Sequence, residues 1–235
     1  TIYLWKQSIF PDHPKDGFER STPEAEGIPS TAILDFIEAI EEKGIELHSL
    51  MILRHGKIIT EGWWKPYSYY ERQIMYSVSK IFISTATGFA INENRFSLED
   101  KVISFFPDYE TCYNNNPYIQ ALTVKNLLTM TAGEEPYTDF RLRSNDWIAD
   151  FLSFSQPIEV TSKFTYNSYA SYMLSTIIQR TTGQTLIEYL QPRLFNPLGI
   201  WRIKSEYSPA GIICGGWGMS LSTVDMAKIG QLYLQ

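Results

Sequence analysis

The chain has 235 residues, a length that suits one large domain or two closely packed ones. Hydrophobic residues make up 44% of it and charged residues 20%, the balance of an ordinary globular protein with a buried core. The net charge of −6 argues against a nucleic-acid partner, which needs a basic surface, and no apolar run approaches the length of a transmembrane helix.

Cysteine and histidine are used sparingly. Cys112 and Cys214 are too few for a disulfide framework, so we expect two unpaired thiols. The three histidines are scattered and show no ligand spacing with cysteine, so we predict neither a metal site nor a cofactor. The sequence begins at Thr1 without a signal-peptide pattern. We therefore expect a soluble chain whose native N-terminus is absent, and its compartment, cytoplasmic or exported, stays open.

The first third of the chain predicts a helix followed by a β-hairpin. Residues 1–22, rich in proline and charge, are expected to form an irregular lead-in. A helix is predicted from a cap at Ser30 to a stop at Gly44, with an apolar stripe of Ile33, Phe36, Ile37 and Ile40. A strand over 47–54, a turn at His55-Gly56 and a strand over 57–64 then predict the hairpin.

Ser77 and Lys80 stand three residues apart at the start of an apolar, small-residue run over 81–91. On a helix, residues i and i+3 share a face, so the lysine amine would lie one turn from the serine hydroxyl. Serine is a poor nucleophile until a base is placed beside it, and this spacing makes the pair a candidate for nucleophilic catalysis. The alternative is a solvated helix start with Ser77 as the N-cap.

Residues 92–200 lack strand signals and predict short helices joined by long polar loops. The predicted helices are one that begins at Thr123 and others over 147–154, over 168–182 with a stop at Gly183, and over 185–194. After this region, Ser222 or Thr223 caps a last helix with an apolar face of Met226, Ile229, Leu232 and Tyr233.

Tyr166 opens a Tyr-x-Ser triplet just ahead of the helix predicted over 168–182. Positive charge favours the phenolate, so a tyrosine beside a lysine can have its pKa lowered and act as a general base or acid. The alternative for Tyr166 is a half-buried ring with a satisfied hydroxyl.

The order Ser-x-x-Lys and then Tyr-x-Ser resembles the serine β-lactamase and penicillin-binding protein superfamily. It is most similar to the class C β-lactamase-like branch, which also contains esterases, D-aminopeptidases and DD-peptidases. Five ordered segments read like landmarks of that branch, and together they extend the resemblance over nearly the whole chain. They are residues 75–80, 98–102, 122–133, 195–200 and 215–219.

The resemblance implies an α+β, β-lactamase/transpeptidase-like fold, in which an antiparallel sheet flanked by helices carries an all-helical lobe. Residues 1–91 and 201–235 would form the α/β sandwich part, and residues 92–200 the lobe. The family's third motif, Lys or His followed by one residue and Gly, has no plausible counterpart before Gln235. We therefore expect the C-terminal strands to be missing from this chain and the chain to be a fragment.

The resemblance also assigns roles. Ser77 would attack a carbonyl and form an acyl-enzyme, while Lys80 and Tyr166 would share the proton transfers; which of them is the base stays open. Candidate substrate-binding residues are Ser168, Asn126 and Trp217. Asn126 has the alternative of an ordinary helix-surface residue, and Trp217 has the alternative of a core residue.

Two residues depart from the family pattern. Ser168 stands where the family commonly has an Asn whose amide holds the substrate's amide, and a hydroxyl makes fewer hydrogen bonds. This favours an ester over a β-lactam or peptide. Met130 stands where many members have His, a position that we expect to support structure rather than chemistry.

These residues predict a serine hydrolase acting on small ester or amide substrates, with no nucleic-acid partner. Two alternatives keep the fold. One is a cell-wall DD-peptidase or β-lactamase, acting on a D-amino acid peptide or a β-lactam. The other is a penicillin-binding module that is acylated without turnover. Fold-level resemblance does not fix the substrate.

Overall fold

The structure is a computed structural model that describes residues 2–4, 16–133, 144–154 and 163–235. The chain packs as two compact units. The first unit comprises residues 1–73, 198–202 and 221–235, and the second comprises residues 74–197 and 203–220. The domain division expected from the sequence, 1–91 with 201–235 against 92–200, stays a prediction.

The first unit is built on a four-stranded sheet with the β-hairpin at its centre. Strand β3 (Ser49–Arg54) and strand β4 (Lys57–Trp63) pair in antiparallel register, and the turn residues His55 and Gly56 both have positive φ, at 49° and 76°. Such a turn matches the twist of the flanking strands, so the predicted hairpin is confirmed.

Two short strands also pair with β4, and the sequence did not predict them. Strand β1 (Ile2–Leu4) is antiparallel to it, and strand β2 (Glu19–Arg20) is parallel to it. The irregular lead-in expected over 1–22 is therefore wrong at these two places, because strands of two or three residues carry no readable periodicity. Residues 1 and 5–15 lie outside the described residues.

Helix α1 (Ser30–Glu42) packs its apolar stripe toward the sheet. Ile33 and Ile37 form a buried cluster with Ile59 of β4. Phe36, predicted on the same stripe, is 48% exposed. Pro29 rather than Ser30 occupies the cap position. The C-terminal helix α9 (Thr223–Leu234) packs against β3, and Ser222 caps it by accepting a hydrogen bond from the Asp225 N–H.

A buried ionic cluster ties β2 and β4 of this unit to the segment before β2. Arg20 makes a bidentate ion pair with Asp16, both bonds being 2.6 Å, and lies 3.4 Å from Glu61. Tyr69 donates a hydrogen bond of 2.8 Å to Asp16. The three charged side chains are 4–6% exposed, so these ion pairs lie inside the unit, away from water.

The second unit is helical in its described part. Its helices are α2 (Lys80–Asn92), α3 (Glu110–Tyr113), α4 (Pro117–Ala121), α5 (Val124–Leu128), α6 (Trp147–Ser153), α7 (Ser168–Thr182) and α8 (Leu186–Leu190). Short 3-10 turns cover Tyr76–Ser79, Val102–Phe105 and Pro107–Tyr109, and a π turn covers Gln191–Phe195. A further 3-10 turn, Glu24–Glu26, belongs to the first unit.

Helix α7 is the central element of this unit. Residues 169–178 are all buried, and the helix contacts α2, α5 and α8. Asn167 caps its start, and Gly183 ends it in the left-handed conformation at φ 71°, which matches the predicted bounds.

Two short strands, β5 (Arg72–Ile74) and β6 (Ser220–Ser222), form a separate two-stranded sheet.

Two further properties concern membrane-spanning helices and cysteines. Among the described helices, none combines the length and the hydrophobicity that a bilayer span requires. Neither Cys112 nor Cys214 forms a disulfide, and Cys214 is buried.

Candidate active site

Ser77 lies on the 3-10 turn Tyr76–Ser79, and the regular helix α2 begins at Lys80. Tyr76, immediately before it, has a φ of 43°, a left-handed conformation that is strained for a residue with a side chain. The turn projects the Ser77 side chain into solvent, while its neighbour Ser79 is fully buried. The i, i+3 relation predicted for Ser77 and Lys80 is present on this turn.

Lys80 reaches three oxygen atoms. Its Nζ donates to Ser77 Oγ at 3.2 Å, to Ser168 Oγ at 3.2 Å and to the Gly216 carbonyl at 2.7 Å. None of these acceptors is charged. An ammonium group has three N–H bonds, so this arrangement accounts for each of them.

Tyr166 completes the cluster from the other side of the serine. Its hydroxyl donates to Ser77 Oγ at 2.6 Å, and Lys80 Nζ lies 4.7 Å from its ring centroid. Partial burial raises the pKa of Tyr166, but the adjacent Lys80 ammonium and the contact with the Ser77 hydroxyl outweigh burial and bring the pKa below its ordinary value of 10. The phenolate is therefore easier to form here than in water.

Backbone contacts hold the segment that carries Tyr166. The Thr165 N–H donates to the Met130 carbonyl at 2.8 Å, and Met130 has a φ of 54°. Asn167 donates to the Gly133 carbonyl at 3.3 Å and accepts from the Ala170 N–H at 2.9 Å as it caps α7. Met130 therefore orients the tyrosine segment through its backbone, a role that its side-chain type does not reveal.

The three predicted substrate-binding residues have different surroundings. Ser168, the first residue of α7, joins the cluster through Lys80. Trp217 is half-buried, follows the carbonyl that holds Lys80, and packs its ring 6.2 Å from the Trp147 ring.

Asn126 is engaged elsewhere. Its side chain forms the capping box of α5 with Thr123 and donates to Thr131 at 3.0 Å. The structure does not bring it to the serine through any hydrogen bond among the described residues. Its assignment to substrate binding stays a prediction.

The cluster has the parts that acyl transfer needs. Ser77 is exposed, a phenol of lowered pKa donates to its hydroxyl oxygen, and the Lys80 side chain lies beside both. Over the described ranges, no group of histidine, cysteine, aspartate or glutamate side chains could hold a metal ion.

Comparison with known proteins gives a consistent result. The sequence model of the family described as Beta-lactamase matches residues 33–220. The 6-aminohexanoate-dimer hydrolase of Paenarthrobacter ureafaciens is 24% identical over 224 residues, which cover 87% of this chain and 56% of the relative. Protein flp of Staphylococcus aureus strain MW2 is 24% identical over 168 residues, or 64% of this chain and 33% of the relative.

Solved structures share the fold. A Bacillus anthracis protein described as "Putative 6-aminohexanoate-dimer hydrolase" superposes with a TM-score of 0.69 at 21% identity, covering 84% of this chain and 56% of that one. A Bacteroides dorei protein described as "putative beta-lactamase" gives 0.71 at 15% identity, covering 87% and 62%. At these identities the likeness concerns the fold alone, and it confirms the predicted α+β, β-lactamase-like architecture.

The chain spans about half the length of the first of these relatives, 56% in both the curated relative and the Bacillus anthracis structure. The family match nevertheless extends from α1 to the strand before α9, and it includes the serine, lysine and tyrosine of the cluster. The resemblance drawn from the sequence motifs is confirmed, and the chain belongs to the Beta-lactamase family.

Proposed function

We propose that this chain belongs to a serine hydrolase that acts on small ester or amide substrates through an acyl-enzyme on Ser77. One observation carries the proposal: Ser77 Oγ accepts hydrogen bonds from both Tyr166 Oη, at 2.6 Å, and Lys80 Nζ, at 3.2 Å. An exposed serine with two proton-handling groups on one oxygen is the arrangement that nucleophilic catalysis requires.

Tyr166 is the better candidate for the base. Lys80 Nζ donates to three oxygens, one of them a carbonyl that can only accept, and donating to all three takes the three N–H bonds of an ammonium. An ammonium cannot take a proton from Ser77. It can, however, stabilise the Tyr166 phenolate, whose pKa is lowered mainly by this cation against the effect of burial.

The proposed reaction has two stages, the acylation of Ser77 and the hydrolysis of the acyl-enzyme. In its phenolate form, Tyr166 takes the Ser77 proton as Ser77 Oγ bonds to the substrate carbonyl carbon. The bond to the leaving alcohol or amine breaks, and the leaving group takes the proton from Tyr166. Water then gives a proton to Tyr166 and attacks the acyl carbon. As the bond from that carbon to Ser77 Oγ breaks, Tyr166 returns the proton to Ser77 Oγ, which releases the acid and restores both the serine and the phenolate.

Both ester and amide substrates are consistent with the site. Ser168 presents a short hydroxyl where the family commonly has an amide, which supports esters. Against this, two relatives are named as hydrolases of the 6-aminohexanoate dimer, and the name denotes two amino acids joined through an amide. A linear amide is therefore the second substrate class to test.

Covalent labelling tests the proposal without knowledge of the substrate. We expect a fluorophosphonate probe to add one adduct to the wild-type chain, observed by intact mass, and none to Ser77→Ala. The matched control is Ser84→Ala, an exposed serine on the same stretch of chain within α2, which should label like the wild type.

Turnover then separates the alternatives. A chromogenic ester, the 6-aminohexanoate dimer and a chromogenic β-lactam should be compared side by side. Steady hydrolysis of the ester or the dimer supports the proposal. A burst of acylation with no steady state would favour the penicillin-binding module instead, and a folded wild-type chain that takes up no probe would contradict the hydrolase proposal itself.

A further inference from the structure

We propose that the backbone of residues 216–219 is a positioning element for Lys80, in which the Gly216 carbonyl fixes the ammonium group and the buried Ser79 hydroxyl anchors the segment. The inference rests on the proposed function, because it concerns how the lysine of that site is oriented. It assigns roles to two residues, Ser79 and Gly216, that the catalytic motif itself leaves without one.

The Gly216 carbonyl makes the shortest of the three contacts of Lys80, 2.7 Å against 3.2 Å for each hydroxyl. A carbonyl oxygen has a fixed direction, whereas a serine hydroxyl can rotate, so the carbonyl determines how the ammonium turns. It uses one N–H and leaves two, and these two point to Ser77 and Ser168.

Glycine is required at 216 by space. A Cβ there would lie 2.9 Å from the Ser168 carbonyl oxygen, 3.1 Å from the Ser171 Cβ and 3.5 Å from Lys80 Nζ. The first of these atoms belongs to the backbone of α7 and cannot move easily. A side chain at 216 would therefore push the segment away from α7 and lengthen the bond to Lys80.

Ser79 holds the other end of the segment. It is fully buried, and its hydroxyl accepts the Met219 N–H at 3.2 Å. The Met75 N–H in turn donates to the Met219 carbonyl at 2.9 Å. Met75 and Ser79, which flank Ser77 along the chain, are thus both bonded to Met219, three residues after Gly216. These bonds limit how far the segment that carries the Gly216 carbonyl can move from Ser77.

This positioning has an electrostatic consequence. The Gly216 carbonyl holds Lys80 Nζ 4.7 Å from the Tyr166 ring centroid, and a positive charge placed there favours the Tyr166 phenolate. Lys80 on α2 is the charged group that lowers the pKa of Tyr166. Helix α7 presents the uncharged Ser168 and Ser171 here, and Glu206 packs against Gly218 two residues along the segment. Displacing the carbonyl should therefore raise the pKa of Tyr166.

The pH dependence of fluorophosphonate labelling tests this. We expect Gly216→Ala and Ser79→Ala to move the midpoint of the rate profile upward by roughly half a pH unit or more, with a lower maximal rate. A defect of folding alone would lower the amplitude and leave the midpoint in place, so circular dichroism melting should accompany each profile.

Matched controls separate positioning from general damage. Gly88→Ala changes a glycine of α2 around which a Cβ meets nothing within 4 Å. Ser175→Ala removes another buried hydroxyl, which donates to the Ile213 carbonyl at 2.6 Å. Both should keep the wild-type midpoint.

The outcomes distinguish the two proposals. If the wild-type chain does not label, the proposed function fails. If the wild type labels but Ser79→Ala and Gly216→Ala keep its midpoint, or if the controls shift as much, the positioning role is overturned and the function stands. Should Gly216→Ala fail to fold, Ser79→Ala decides, since it removes atoms and creates no overlap.

Discussion

Tyr69 and Tyr166 show how the same phenol is tuned in opposite directions in two regions of this chain. Burial raises the pKa of both. Tyr69 donates to the carboxylate of Asp16, and this negative neighbour raises its pKa further, well above the ordinary value. Tyr166 lies beside Lys80, and there the pKa falls below it. The sign of the neighbouring charge, rather than burial, separates a structural tyrosine from one suited to proton transfer.

The two clusters differ in how their charges are compensated as well. Around Arg20, the carboxylates of Asp16 and Glu61 both lie beside the one guanidinium, and all three side chains are almost fully buried. Around Lys80, three neutral oxygens accept hydrogen bonds, and the adjacent Ser77 and Tyr166 stay exposed. The first arrangement stabilises a fold by satisfying buried charge, and the second leaves a positive field available to a reacting group.

Removing each hydroxyl in turn is the strongest test of this contrast. Tyr166→Phe should lower the rate of fluorophosphonate labelling by about two to four orders of magnitude, because general-base catalysis contributes on that scale. Tyr69→Phe is the matched control and should leave labelling unchanged. Equal losses of labelling rate in the two variants would contradict the distinction between a proton-transfer role for Tyr166 and a structural role for Tyr69.

Removing the cation should move Tyr166 toward the behaviour of Tyr69. In Lys80→Met, burial remains while the positive charge is gone, so the pKa of Tyr166 should rise. The phenolate forms as pH rises through this pKa, so labelling should be slowed by roughly a hundredfold or more near neutral pH and partly recover at alkaline pH. A uniform loss at every pH would show that Lys80 does not act through Tyr166.

The buried cluster should respond in stability instead of activity. Asp16→Asn leaves Arg20 without its bidentate partner, and breaking a buried pair costs about 3 kcal/mol of unfolding free energy. Denaturant unfolding measures this loss, while the labelling rate of the folded fraction should stay at the wild-type level. An unchanged midpoint of unfolding would mean that Glu61 alone compensates Arg20.

Acid should weaken the same cluster. Burial raises the pKa of Asp16, but hydrogen bonds from Arg20, the Phe18 N–H and Tyr69 lower it more, so the pKa lies below its ordinary value of 3.8. The stability from this lowered pKa is complete above pH 3.8 and is lost as pH falls through the folded-state pKa. Asp16→Asn should therefore flatten the acid limb of a stability-versus-pH curve, and an identical limb in both proteins would contradict this.

Salt should have the smallest effect, and it should affect the cluster around Lys80 more than the buried cluster around Arg20. Raising the ionic strength from about 0.05 M to about 1 M shortens the screening length from more than 10 Å to about 3 Å. The field of Lys80 on the half-exposed Tyr166 should weaken, which raises the labelling midpoint by a few tenths of a pH unit. Unfolding of the Asp16→Asn variant relative to the wild type should not change, since buried pairs are screened much less.

Local sequence patterns predicted the elements that depend on local physics. The His55-Gly56 turn, the helix from Ser168 to Gly183 and the cap at Ser222 each follow from turn or capping chemistry. Strands β1 and β2 were missed because β4 alone gives them partners. A pairing of two or three residues is decided by tertiary contacts that no short window contains.

The candidate site also contains groups that the sequence predicts and groups that it does not. Ser77, Lys80 and Tyr166 were predicted as candidates from their side-chain types and their spacing in the sequence. The Met130 and Gly216 carbonyls accept hydrogen bonds through backbone atoms, which every residue has, so no side-chain motif reveals these contacts. The glycine pair at 215–216 beside an aromatic residue was the one available signal for a close backbone approach.

A direct titration of Tyr166 tests the central claim, that Lys80 makes this phenol a base for Ser77. Carbon-13 labelled tyrosine in the full chain gives one resonance per ring, and Tyr166→Phe assigns the one that matters. We predict that Tyr166 ionises below pH 10, with Tyr69 still protonated when Tyr166 is a phenolate. If Tyr166 instead ionises at or above pH 10, the cation does not tune it, and the proposed mechanism is contradicted.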